Sequence, residues 1–326
     1  MLKLITAVIT VLLGVGVALA LYWLLNKLSE LLPSRQEQAL KGYFYILPAY
    51  LAIIVYLLYP AIQTLIYSFK DSTSTSYVGF ANFKALLGNS GFQQTLLNTV
   101  LWMVVVPTLT VIVGLAVAVL ADRLGPTGEK FSKTIIFLPM AISMVGAATV
   151  WKFVYAYKPP SEDQIGLQNA VWTALGGSPQ TWLEKNQVHF NSFLLMVMLL
   201  WAQVGFAMIL LSSAVKGVPV ETYEAARIDG ANERQIFFRV VVPQIRGTII
   251  TVFVTVLITV MKVFDVVYVM TNGNFNTNVV GLDFFNKLFT NFDNGQAAAI
   301  VVLLMIATIP IMIYQVRVFK QQEAEA

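Results

Sequence analysis

Seven apolar runs succeed one another along the chain, at 5–25, 43–67, 99–120, 134–155, 190–214, 247–270 and 297–314. Each is close to the roughly 20 apolar residues that a membrane-spanning helix needs. The segments between them leave no room for a soluble domain. One of these segments, 221–244, is unlike the rest: ETYEAARIDGANERQIFFRVVVPQ is densely charged and lies between two long apolar runs. Val218-Pro219 opens it, Glu221 and Glu224 fall in a first helical turn, and Arg227 comes near that helix's end, the charge order that a helix dipole favours. Gly230 supplies a stop. Asn232 can then cap a second helix, in which Ile236, Phe237, Val240 and Val241 share an apolar face while Arg234 and Arg239 stay wet, with Pro243 ending it. With small side chains at Ala225 and Ala226, the predicted product is a compact knob able to seat in another protein's groove. The plainer alternative is an ordinary juxtamembrane amphipathic loop.

Composition agrees with a polytopic membrane protein: 57% of residues are hydrophobic, 12% are charged and the mean hydropathy is +0.72. Soluble domains run at about 45–50% apolar and about 25% charged. Charge also orients the chain. All seven arginines (Arg35, Arg123, Arg227, Arg234, Arg239, Arg246 and Arg317) fall after runs one, three, five and seven or in the loop before run six, joined there by Lys27, Lys41, Lys130, Lys133, Lys216 and Lys320. Positive residues in short loops mark the cytoplasmic side, so the expected topology is N-terminus outside and C-terminus cytoplasmic. The net charge of +4 reflects this topology and gives no argument for nucleic acid. Lys3, the first apolar run and Ala18-Leu19-Ala20 together resemble a cleavable signal peptide, but the run continues through Leu21 to Leu25 with Tyr22 and Trp23 in it. A retained helix is the preferred reading. Residues 1–42 are therefore expected to form an extra helix and cytoplasmic linker, with a six-helix core over 43–326 and its cytoplasmic loop at 216–246.

Catalysis has no evident home. The chain has no cysteine, which excludes thiol nucleophiles, disulfides and Cys-based metal sites, and its single histidine, His189, sits at the mouth of the fifth run. No phosphate-cradling G-x-x-x-x-G-K-[ST] loop occurs, so ATP-driven work would need a separate ATPase.

The charged loop resembles the EAA loop of bacterial ABC importer permeases through Glu224, Ala225, Ala226, Asp229, Gly230, Ala231 and Pro243. Gly247 stands where many sugar permeases have a second proline. The likeness extends over nearly all the chain from Tyr43. The LPAY and LLYP segments, Val78 to Phe83, Asn98-Thr99, Phe137-Leu138-Pro139 and Trp151 are similar to carbohydrate importers, and Phe264-Asp265 with Tyr268 and Thr271 looks like the sugar-permease F-D-x-x-Y-x-x-T signature. Asn272-Gly273-Asn274-Phe275 replaces the common G-G-P, a variant resembling α-glucoside, glucosylglycerol and trehalose permeases. The resemblance implies an all-α, MetI-like transmembrane domain of a type I ABC importer in the bacterial inner membrane. It also implies a second homologous permease subunit, an ABC ATPase dimer holding ATP and Mg, and an extracytoplasmic sugar-binding protein, with Glu221, Glu224, Ala225, Ala226, Arg227, Asp229, Gly230 and Ala231 docking on the ATPase.

A search for a solute path gives a second set of candidates. Lys262 and Asp265 are ionisable groups in the sixth run at a spacing that lets them pair on one helical face. They either border a cavity or pin the helix to its neighbours. Gln203 and Phe206 at i, i+3 and Thr255, Thr259 and Val263 at i, i+4, i+8 offer the mixture of hydroxyl partners and apolar surface that a pyranose requires. Ala202 joins them by the resemblance, near the sugar contacts of the maltose permease. The alternative is that the threonines bond within their own helix and Gln203 bridges two spans. Two other classes compete: a secondary sugar transporter using Lys262 and Asp265 for ion coupling, and a seven-span receptor. Neither accounts for the charged loop.

Overall fold

The computed structural model describes residues 2–30 and 34–325; residues 31–33 of the expected linker, and the side chains of Lys3, named for the signal-peptide resemblance, and Arg35, named for the topology, lie outside that description. Among the described residues every regular element is helical, apart from one antiparallel bridge between Lys70 and Tyr77. Five helices are long and apolar enough to cross a membrane, and two bent pairs raise the number to as many as seven. The chain divides into two compact units, Met1–Ile66 and Tyr67–Ala326, and the boundary expected after residue 42 falls inside the first.

In the first unit, α1 (Leu2–Glu30) meets α2 (Lys41–Tyr67) through the rings of Tyr22 and Tyr45, with centroids 6.1 Å apart, and through the Tyr45 hydroxyl, which donates to Asn26 Oδ1 at 3.1 Å. Most apolar side chains of α1 and α2, such as Leu12, Val17 and Leu57, are exposed. Such surfaces suit lipid or another chain rather than water.

The second unit contains α3 (Ser90–Asp122), α4 (Pro126–Phe137), α5 (Met144–Val154), α6 (Phe190–Lys216), α7 (Val220–Ile228), α8 (Glu233–Gln244), α9 (Arg246–Met261), α10 (Asp265–Met270), α11 (Val280–Phe285) and α12 (Asn294–Glu325). Helices α3, α6 and α9 pack together over Trp102, Val106, Leu195, Met198, Met208 and Val252, all fully or almost fully buried.

Two expected spans are broken. The 134–155 run, expected to form one span, is bent: α4 and its 3-10 extension to Ala141 meet α5 at 102°. Pro139 lies in the extension, and Ser143 begins α5 afresh by accepting a hydrogen bond from the Gly146 N–H at 3.2 Å. The bend presses backbone onto α6 at Gly205, where an added Cβ would stand 2.5 Å from the Ile136 carbonyl oxygen and 2.7 Å from Phe137 Cα. The 247–270 run also breaks: α9 stops at Met261, Phe264 adopts φ −142°, ψ −57°, and α10 restarts at Asp265. Gly281 of α11 seats against the Val263 carbonyl exposed by this break. Prolines elsewhere are absorbed. Pro107 and Pro310 sit inside continuous helices, whereas Pro60 and Pro243 each follow a π turn, Ile54–Leu58 and Phe237–Val241. The wider turn gives space for the proline ring and uses no hydrogen bond from its missing N–H.

At the end of the unit remote from the charged loop, α3 holds the turn between α10 and α11. Asn98 Nδ2 donates to the carbonyls of Asn276 at 2.8 Å and Asn278 at 3.0 Å, and the Thr99 hydroxyl accepts from Val280 N at 3.0 Å. Asn191 of α6 reaches the Phe275 carbonyl at 2.8 Å, and Thr271 meets Thr277 at 2.6 Å. Asn272, Gly273, Phe275 and Asn276 all take positive φ, so this turn depends on its asparagines, and Asn98-Thr99 and the 272–275 variant are one structure. Asn98→Ala leaves two inward carbonyls unpaired, and the expected cost is roughly 1–3 kcal/mol. Thermal unfolding of the solubilised complex, with loss of the turn's hydrogen-exchange protection, checks it.

Candidate functional site

The charged loop folds as two caps placed back to back. In α7, the Ala231 N–H donates to the Ala226 carbonyl at 3.0 Å and the Gly230 N–H to the Arg227 carbonyl at 3.1 Å. This is the paired closure of a Schellman turn, and it requires the left-handed conformation that Gly230 supplies at φ +79°. Two residues later Asn232 opens α8 with a capping box: its Oδ1 accepts from Gln235 N, while Gln235 Oε1 accepts from Asn232 N, both at 2.9 Å. Arg227 crosses from α7 to Glu233 of α8 with contacts of 3.0 Å from Nε and Nη2. Beneath, Val218, Ile236, Val241 and Ile245 form a small buried core joined by Tyr223, Ala226, Ala231, Phe237 and Val240. The expected apolar face is thus the face that is covered, and Arg234 and Arg239 are exposed. The helix runs one residue past Pro243, to Gln244, then bends by 68° into α9.

The knob's outer edge carries Glu221, Glu224, Ala225, Arg227, Asp229 and Gly230, all exposed, with Ala226 and Ala231 half-buried at its base. Sequence reading missed Ile228, which lies among these charges 86% exposed, and Val220, 64% exposed. An isoleucine between Arg227 and Asp229 was the available signal.

At the root of the knob stands a charge network of which the sequence reading noted only Lys133 and Lys216, as markers of topology. Lys133 of α4 donates to Asp122 Oδ1 of α3 at 2.6 Å and to Glu129 Oε1 at 2.7 Å, and also bonds Ser212 of α6. Ser212 Oγ donates to Asp122 Oδ1 at 2.8 Å. Lys216, the last residue of α6, pairs with Glu129 and lies 3.6 Å from Asp122. The network ties the bent α4 to α3 and α6 at the point where the chain leaves for α7.

The solute-path candidates are not gathered in one cavity. Ala202 and Gln203 are buried on α6, and Gln203 forms no hydrogen bond among the described residues. Phe206 packs on the main core, and Val263 is buried within it. The hydroxyls of Thr255 and Thr259 donate to the carbonyls of Thr251 and Thr255, at 2.8 and 3.0 Å, so both are satisfied within α9, although Thr259 is exposed. Lys262 and Asp265 form no ion pair. Their spacing presupposes a continuous helix, and the break at residues 262–264 removes it. Lys262 instead edges an apolar cavity of about 580 Å³ with Phe264, Phe285 and Met305.

Residues 110–322, from the middle of α3 through the knob and into α12, match the family described as binding-protein-dependent transport system inner membrane component. The chain belongs to that family. As an inner membrane component of such a system, it has relatives along its whole length. It is 42% identical, over 97% of both chains, to the alpha-glucoside transport system permease protein AglF of Rhizobium meliloti (strain 1021). It is 44% identical to the osmoprotective compounds uptake permease protein GgtC of Synechocystis sp., over 86% of this chain and 99% of that one. The fold is that of a chain in the crystal structure of a bacterial ABC transporter involved in the import of the acidic polysaccharide alginate, with a TM-score of 0.76 over 88% of this chain and 99% of the other at 20% identity.

Removing Lys133 leaves two half-buried carboxylates, Asp122 and Glu129, to share the single cation Lys216. Lys133→Met is expected to lower stability by about 2 kcal/mol, and Asp122→Asn with Lys133→Met to cost less than the two single changes added together, as read by thermal unfolding of the solubilised complex.

Proposed function

We propose that this chain is half of the transmembrane pore of an ATP-driven importer for an α-glucoside, glucosylglycerol or trehalose, oriented with its N-terminus outside and the charged loop in the cytoplasm. The observation that carries the reading is the knob: two helices locked by complementary caps, an edge of Glu221, Glu224, Ile228 and Asp229 left open, and a bent arm leading straight into α9. Such an edge suits the groove of an ATPase subunit that binds ATP and Mg itself, since this chain offers no phosphate loop. When two ATPase subunits close, the knob follows its groove, and the arm carries that displacement to α9 and, through the charge network, to α3, α4 and α6. A ligand can drive such a switch only by binding the two states unequally, a task that falls to ATP on the ATPase and to a loaded external binding protein on the opposite face.

The sugar path forms between this chain and a second, homologous permease. That arrangement explains why Thr259 and Lys262 face outward from a single copy, while Gln203 stands without a partner just inside α6. The two permeases named above, for alpha-glucosides and for osmoprotective compounds, support this substrate class. The rival reading, a sugar transporter using Lys262 and Asp265 as an ion-coupling pair, loses support because the two side chains form no ion pair across the break.

The test is ATP hydrolysis by the assembled transporter in liposomes, with trehalose, sucrose, maltose and glucosylglycerol each presented on the binding protein. Stimulation by at least one is expected, and uptake should persist with a protonophore. Gly230→Val should abolish stimulation because a β-branched residue at φ +79° disrupts the knob, whereas Gly230→Asn should retain it, asparagine tolerating the left-handed region. Full stimulation in Gly230→Val contradicts the coupling role.

A further inference from the structure

Between the end of α3 and the arm α8 lies a cleft of about 630 Å³. Its floor is apolar, with Val119 and Leu120 from α3 facing Ile236, Phe237, Phe238 and Val241 from α8. Its polar members are Arg123, Tyr223, Glu233 and Arg234. Their charges do not cancel. Glu233 is taken by Arg227 at 3.0 Å, and Asp122, the carboxylate beside Arg123, is taken by Lys133 at 2.6 Å. Arg123 and Arg234 form no ion pair among the described residues, and both are exposed. The Tyr223 phenol is raised above its ordinary pKa by burial and by the carboxylates of Asp122 and Glu233, so it stays protonated and able to donate.

Two uncompensated guanidiniums and a hydroxyl donor above an apolar floor have the polarity of an amphiphile in reverse. Guanidinium forks match phosphate oxygens, and a floor of phenylalanine, leucine and valine matches acyl chains. A soluble anion would leave the floor wetted, and a zwitterionic lipid would bring a cation toward two arginines. The cleft also lies where a span ends in basic residues, the level at which phospholipid headgroups sit. We propose that this cleft is a binding site for an anionic phospholipid, its phosphate held by Arg123 and Arg234 and an acyl chain lying on the α3 and α8 floor. The proposal rests on the membrane orientation given above. A lipid seated there wedges the arm against α3, so its occupancy sets how firmly the knob's motion reaches α9.

The test is native mass spectrometry of the assembled, detergent-purified transporter titrated with phosphatidylglycerol or phosphatidylcholine of the same acyl chains. The wild-type complex should retain phosphatidylglycerol preferentially, and Arg123→Gln with Arg234→Gln should weaken that retention about thirtyfold, as expected for the loss of two charge contacts. Arg123→Lys with Arg234→Lys keeps the charge but not the fork and should retain more of the preference than the glutamine variant, which guards against a folding defect in the latter. Equal retention by wild-type and glutamine complexes, or equal affinity for both lipids, overturns the proposal. Displacement of the retained lipid by millimolar inorganic phosphate also overturns it, since it marks a soluble-anion site. Failure of the chain to assemble with an ATPase contradicts the importer reading instead, and is visible as a missing mass before any lipid is added.

Discussion

A peptide group freed by breaking a helix in hydrocarbon finds no water, and leaving it unpaired costs several kcal/mol. This chain breaks two of its spans and bends the entry to one of them, so each irregular backbone has to be met by protein. Ser143 caps the restart of α5, and the bent α4 rests on α6 only because residue 205 is glycine. The break after α9 is covered by α11 at Gly281, and α11 is in turn held by Thr99 and the Asn98-bound turn. The breaks therefore organise the unit, since each one requires a neighbouring helix at a fixed place. Among the helices that remain continuous, α3 and α6 form the frame.

The knob depends on the same economy of backbone groups, applied in water. Its two caps consume the carbonyls at the end of α7 and the N–H groups at the start of α8, so the turn between them has little freedom left. Rigidity matters because the arm is only one bend away from α9. The exposed Ile228 and Val220 then have no role within this chain, while the charge network holds the root of the knob to the ends of three helices.

The seven apolar runs were legible because length and hydropathy alone determine them, and the knob was legible because its signals are local: a glycine at the stop, an asparagine at the cap, charges ordered along each helix. The breaks were not. Leu138 to Met144 holds Pro139 and Ser143 in an otherwise apolar stretch, but a proline alone marks at most a kink, as Pro107 and Pro310 inside continuous helices show, and no glycine or proline marks residues 262–264, so both runs read as single spans. The residues that accommodate them, Gly205 and Gly281, lie elsewhere in the sequence and act only through packing. The pairing of Lys262 with Asp265 failed for this reason, because a helical spacing was applied across a helix end. Gln203 and the threonines show another limit. Side chains suited to a sugar are also suited to bonding their own helix, and Thr255 and Thr259 do so. Asp122, Glu129 and Lys133 were visible as charges, but their convergence on Ser212 depends on the bend in α4.

The most direct measurement of the central claim, that the open edge of α7 is a docking surface for the ATPase, is maleimide labelling of Ile228→Cys in the permease pair alone and in the full complex. Val188→Cys, 87% exposed at the end of the unit remote from the charged loop, serves as the reference in a protein that has no native cysteine. Strong protection of residue 228 on ATPase binding, with residue 188 labelled equally in both states, is the predicted result. Equal labelling of residue 228 with and without the ATPase would contradict it.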